Sequence, residues 1–147
     1  MKLLASALAV LLLTACASTK QEAYLAGSAD AATTAVGLAS GFAEANPLGA
    51  VGAIAVKVVT IEVCDKAAQP AKTNCHHASS AVSWGAAASN AALLLGASTA
   101  GGLVLMVAAA AVSWNQGADE REFMRTCHYL FTVRDGKQPG TFTCKYR

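Results

Sequence analysis

The chain has 147 residues, 54% of them hydrophobic and only 14% charged, with a formal net charge of +2 at pH 7. The basic residues do not cluster, which excludes a nucleic-acid footprint. No Ser-His-Asp arrangement and no phosphate-binding loop occurs, so the chain reads as a non-enzyme that needs no cofactor. The predicted elements follow in chain order.

Lys2 opens the sequence as a positive n-region, and Leu3 to Leu13 form a short apolar run. That run is too short to cross a bilayer and has the composition of a signal peptide. It ends in Leu13-Thr14-Ala15-Cys16. This segment resembles the lipobox of bacterial lipoproteins. The resemblance implies cleavage before Cys16, diacylglycerol on its sulfur and a fatty acyl group such as palmitate on the new amino terminus. Without lipidation the same segment is an ordinary secretory signal cleaved near Ala15 or Ala17. An Asp after the lipidated Cys retains such proteins in the inner membrane. Ala17 and Ser18 follow here, which points outward, with inner or outer membrane left open.

Composition divides the chain into a leader at 1–15, a lipidated tether at 16–29, an apolar helical bundle at 30–118 and a polar tail at 119–147. Cys64, Cys75, Cys127 and Cys144 remain besides Cys16. An even number in an exported protein favours disulfides. Of three connectivities, the local one, 64–75 with 127–144, is expected, because each pair flanks a short loop.

In 30–46 the residues Asp30, Thr34, Gly37, Gly41 and Glu44 recur at helical spacing on one stripe. Gly37-x-x-x-Gly41 permits close helix approach of the glycine-zipper kind. Asn46 is a good N-cap and Pro47 a good first helical residue, so a second helix is expected over about 47–63. Lys57 lies in its middle, on a face with Ala50, Ala53, Thr60 and Cys64. Leu48, Val51, Ile54, Val58 and Ile61 form the other face. Folding back at Asn46-Pro47 sets Lys57 opposite about position 36. The lean of side chains toward their helix N-terminus then favours a Lys57–Glu44 pair, with Asp30 the poorer partner.

Residues 64–77 read as a charged loop. Cys75-His76-His77 with Cys64 could suggest a metal, but no C-x2-C ligand pair is present and none is expected. From Ala78 to Ala118 there is no charged residue. That length fits two helices broken around 96–102, with the stripe Ser79, Ser83, Ala86, Asn90 supplying hydrogen bonds between helices. Trp84 and Trp114 lie symmetrically about Thr99, as two indoles at one membrane level would. In the tail, Asp135-Gly136 is a two-residue hairpin signal that brings Cys127 opposite Cys144.

The expected fold is therefore all-α: two helical hairpins, about four membrane-embedded helices, plus a short disulfide-closed β-hairpin. Asp30-x-x-Thr33-Thr34, Gly41-x-x-Glu44-x-Asn46-Pro47 and Lys57 resemble a family of small uncharacterised bacterial and phage membrane proteins over about residues 28–114. That resemblance implies a multi-span fold and no activity. The lipobox and the cysteines depart from the family. The function expected is a small cell-envelope lipoprotein that binds or supports, by analogy one encoded by a phage or plasmid. Its partners would be membrane lipid and an envelope protein or a second copy. The alternative is a glycine-zipper oligomer or pore.

Overall fold

The computed structural model describes residues 18–43 and 48–132, with side chains described as far as 126. Five helices occur among the described residues: α1 Thr19–Ala39, α2 Gly49–Asp65, α3 Ala71–Leu94, α4 Thr99–Gln116 and α5 Ala118–Thr132. The first four run up and down in sequence, and α3 is the central one. It packs along α1 on one side and α4 on the other, while α2 lies against α1 and α3. The start of α5 touches the ends of α3 and α4.

α1 begins eleven residues before the stripe at Asp30, in the segment expected to be a tether. The cause is a capping box. Ser18 Oγ accepts from the Gln21 amide at 3.3 Å, and the Gln21 side chain accepts from the Ser18 amide at 2.9 Å. α1 also stops early. Gly41 takes φ +88°, the Phe42 amide reaches the Gly37 carbonyl and the Gly41 amide reaches Leu38. This is a Schellman ending, and Gly tolerates the left-handed conformation it needs. Gly96 ends α3 in the same way at φ +87°.

The α1–α3 seam is built from small and polar residues at alternating steps of three and four. α1 gives Ala23, Ala26, Asp30, Thr33 and Gly37. α3 gives Thr73, His76, Ser80, Ser83, Ala87 and Asn90, a heptad-like spacing. α4 approaches α3 through glycines. A Cβ added at Gly85 would lie 2.8 Å from the Met106 carbonyl oxygen, and one at Gly102 would lie 3.1 Å from Ser89 Oγ. The large side chains face outward instead. Val51 is 82% exposed, Val82 66%, Leu95 89% and Val104 68%.

Three expectations are corrected here. Residues 118–132 are helical, so the strand expected to begin at about 126 is absent, and no strand occurs among the described residues. Asp119, Glu120 and Glu122 favour a helix start here through the macrodipole, and they outweigh the β-formers of 129–132. No helix among the described residues is long and apolar enough to cross a membrane, which overturns the four membrane-embedded helices. α2 ends after 17 residues, and α1 and α3 carry polar side chains along their seam. The two indoles are also not level. Gly85 lies opposite Met106 and Ala110, and His77 opposite Gly117. Trp84 is therefore level with about residue 109, and Trp114 sits about 7 Å farther from the turn at 1.5 Å per residue.

Candidate functional site

The polar groups gather in two places. The first is a node in the middle of the bundle, where polar groups of three helices meet. Lys57 Nζ on α2 is paired with Asp30 Oδ2 on α1. Asn90 on α3 donates through Nδ2 to Asp30 Oδ1 at 3.0 Å. The same amide reaches Thr34 Oγ1 at 3.0 Å and Thr33 Oγ1 at 3.3 Å. Thr33 can accept because its own hydroxyl donates to the backbone carbonyls of Ala29 and Asp30, at 3.1 and 3.0 Å. Both carboxylate oxygens are thus engaged, and the node is electrically neutral.

This corrects the partner of Lys57. The expected Glu44 and the Asn46-Pro47 turn fall outside the described residues, and Lys57 meets Asp30. The reason lies in the connection. α1 ends at Ala39 and α2 begins at Gly49, so the chain does not fold back at a tight two-residue turn. The wider connection moves the register, and Lys57 comes level with residue 30 rather than 36. The glycine pair is corrected as well. Gly41 lies beyond the helix, and a Cβ added at Gly37 or Gly41 would meet nothing within 4 Å. Gly37 instead lines an open cleft of about 160 Å³ beside the node. Thr33, Thr34 and Asn90 give the cleft its polar side, and Leu38, Phe42 and Leu93 its apolar walls.

The second place is the end of the bundle where α1 starts, α2 ends and α3 starts. Cys64 and Cys75 are joined there in a disulfide that ties α2 to α3. Lys20 bridges Glu62 at 3.1 Å and Asp65 at 3.0 Å, and Lys72 reaches Asp65 at 2.6 Å. The hydrogen bonds from Lys72 and then Lys20 hold the Asp65 carboxyl at about 2, below the ordinary 3.8. Tyr24 donates its hydroxyl to Glu62. That bond first, and Lys20 second, lower the Glu62 carboxyl. His76 lies fully buried beneath this layer, and neither ring nitrogen has a hydrogen-bond partner. Its Nε2 stands 3.7 Å from Asp65 Oδ1, too far for a bond. Burial pushes its pKa down, against a partial pull upward from Asp65.

His77, also buried, brings in α5. Its Nε2 is 3.3 Å from Glu120 Oε2 and its Nδ1 4.0 Å from Glu22 Oε2. Ser80 Oγ donates to Glu22 Oε1 at 3.0 Å. A Cβ on Gly117 would lie 2.3 Å from the His77 ring, so the imidazole rests on bare backbone. Arg121 covers the Trp114 ring at 3.7 Å from its centre and donates to the Trp114 carbonyl at 2.5 Å.

Among the described residues, no group of three or more His, Cys, Asp or Glu side chains is arranged to hold a metal ion. Cys16 and Cys144 lie outside the described residues, as does the Cys127 side chain, so the 127–144 pairing falls there too. The base cluster and its histidines were missed by reading the sequence as a loop over 64–77. The signal was present: Thr73, His76, Ser80, Ser83, Ala87 and Asn90 continue one stripe through that segment. The chain matches no protein-family model, no curated protein and no solved structure.

Proposed function

We propose that this chain is a lipid-anchored protein of the bacterial cell envelope that acts by binding, as a structural or interaction component, without catalysis. The observation that carries the reading is Leu13-Thr14-Ala15-Cys16, a lipobox-like segment with one residue between its Cys and Ser18, the N-cap of α1. An acylated Cys16 would leave almost no tether, so the bundle would sit at the membrane surface. The Cys64–Cys75 bond at the same end fits an oxidising compartment outside the cytoplasm. The polar side chains are spent on one another inside the bundle, while large apolar ones face outward. Such a surface favours association with lipid or protein over chemistry on a small substrate. The glycine-zipper pore loses its motif, because Gly41 closes α1 rather than packing against a helix.

The test is processing in the native envelope. The parent chain is expected to begin at an acylated Cys16 and to partition with membranes. Cys16→Ser is expected to stay unacylated and to escape lipoprotein-specific cleavage. Identical mass and processing of the two chains would sink the anchor.

A further inference from the structure

The node leaves two of its polar groups with capacity to spare. The Asp30 carboxylate only accepts, so the amide nitrogen of Asn90 must face it. That orientation turns Asn90 Oδ1 away from Asp30. The Nδ2 group already serves three oxygens, of Asp30, Thr33 and Thr34. Nothing among the described residues donates to Oδ1 in return. Nor is Oδ1 sealed in the core, because the sealed side-chain atoms without a partner among the described residues are His76 Nδ1, His76 Nε2 and Ser113 Oγ. Thr34 is in a similar position. Its oxygen accepts from Asn90, and its own proton meets no acceptor among the described residues. Thr33 differs, since its proton goes to carbonyls of its own helix.

Asn90 and Thr34 both line the cleft between α1 and α3. They stand side by side, with Asn90 Nδ2 3.0 Å from Thr34 Oγ1. The cleft is thus offered one acceptor and one donor at neighbouring points. Leu38, Phe42, Leu93 and Leu94 make its walls apolar. A mostly apolar cleft with a few convergent polar groups has the composition of a small-molecule site. Its volume is about 160 Å³, and a cavity of about 150 Å³ holds a benzene-sized molecule. All lining residues fall within 33–43 and 90–94, so the site takes nothing from 44–47. No charged side chain lines it, and Asp30 and Lys57 neutralise each other beside it. An ion entering there would lose hydration without meeting a free counter-charge.

We propose that this cleft binds a small uncharged molecule with an amide-like head on a compact apolar body. The head donates an N–H to Asn90 Oδ1, and its carbonyl accepts from Thr34 Oγ1. The body lies against Phe42 and the leucines. An amide carries donor and acceptor on separate neighbouring atoms, which is the pattern that Asn90 and Thr34 present. The inference goes beyond the lipid-anchored reading and does not rest on it, because the site belongs to α1 and α3 alone.

The test titrates benzamide into the isotope-labelled full mature chain in mild detergent, reading the Asn90 side-chain amide by NMR. Acetophenone keeps the ring and carbonyl but lacks the N–H, while benzoate and benzamidine carry a negative and a positive head. Saturable shifts are expected with benzamide at a Kd on the order of 1 mM, as suits so few contact atoms. The other three are expected to bind about tenfold more weakly or worse. A Cβ added at Gly37 meets nothing within 4 Å, so Gly37→Leu fills the cleft and is expected to abolish binding. Thr34→Val removes the donor and is expected to weaken binding severalfold. Gly27→Leu fills the groove between α1 and α2 instead and is expected to bind as the parent does. Circular dichroism and an intact Cys64–Cys75 bond establish that each variant is folded. Absence of a saturable shift in the parent would overturn the proposal. So would acetophenone, benzoate or benzamidine binding as tightly as benzamide. Binding that survives Gly37→Leu, or is lost in Gly27→Leu, would place the ligand elsewhere and overturn it too. Cys16→Ser is expected to bind benzamide like the parent, so the anchor and the cleft fail separately.

Discussion

The node at Asp30 and the cluster around Asp65 are both networks of opposite charges, but their surroundings differ. Asp30 and Lys57 side chains are 12% and 22% exposed, whereas Lys20, Asp65 and Lys72 are each about a third exposed. Water screens the outer cluster, and surface pairs of that kind contribute about 0–1 kcal/mol each. The inner pair has little water to fall back on. Its strength is shown less by what forming it contributes than by what breaking it costs, because the surviving partner is stranded. The outer cluster sits where the disulfide already fixes α2 to α3. The node sits where nothing covalent holds the helices, so there the hydrogen bonds of Asn90 and the Lys57 ammonium set how α1, α2 and α3 meet.

The sharpest way to break this contrast is at Lys57. Lys57→Met leaves Asp30 with only Asn90, and we expect a loss of about 3 kcal/mol, the lower end of the range for a broken buried pair. Asp30→Asn with Lys57→Met is expected to lose less than either single change. Chemical unfolding in mild detergent, run as a double-mutant cycle, checks this. Additive losses would show that the two groups do not act as a pair. Lys20→Met, by contrast, is expected to stay within about 1 kcal/mol of the parent.

Next in size is the covalent tie of the outer region. The two cysteines are 11 residues apart, and closing a loop of that length stabilises by about 2–3 kcal/mol through the unfolded chain. Replacing both by Ala is expected to lose about that much and to loosen α2 near Cys64. Hydrogen exchange along α2 would locate the loosening. Protection lost first near Lys57 would instead mean that the disulfide supports the node.

Glycine substitutions sharpen the same comparison in packing. Gly85→Ala sets a methyl against the Met106 carbonyl and is expected to cost about 1–3 kcal/mol by forcing α3 from α4. Gly37→Ala meets open space and is expected to be neutral or to stabilise by up to about 1 kcal/mol, as Ala is the better helix former. The reverse order in thermal unfolding would show that the glycine pair of α1 packs and that of α3 and α4 does not.

The smallest expected effect is pH dependence at the charged end. The His76 pKa is lower in the folded chain than the ordinary 6.5, so the unfolded chain binds protons first. Its contribution is complete above pH 6.5 and declines as pH falls below that toward the lowered folded value. Asp65, held at about 2 against 3.8, contributes above pH 3.8 and loses that contribution between 3.8 and 2. The melting temperature is expected to fall in two steps on acidification, and His76→Leu to remove the upper one. An unchanged upper step in that variant would assign it to another group.

Parts of this were legible without coordinates. The confinement of charge and the helix break expected around 96–102 are written in short stretches, because helix ends and turns depend on neighbours within a few residues. The Cys64–Cys75 bond is of the same local kind, since a separation of 11 residues leaves few other geometries. Tertiary structure alone decided which glycines pack, which acid Lys57 meets and that His76 is buried without a partner. The axial offset between α1 and α2 follows from a connection several residues wide, and no local pattern states its length in space. α5 taught the same lesson from the other side. The turn read at Asp135-Gly136 lies outside the described residues, while the acidic start at Asp119 and Glu120, with Glu120 held 3.3 Å from His77, begins a helix that runs through Thr132 where a strand was expected. Helix ends are chosen by nearby residues, whereas partners are chosen by the register in which whole helices come to rest.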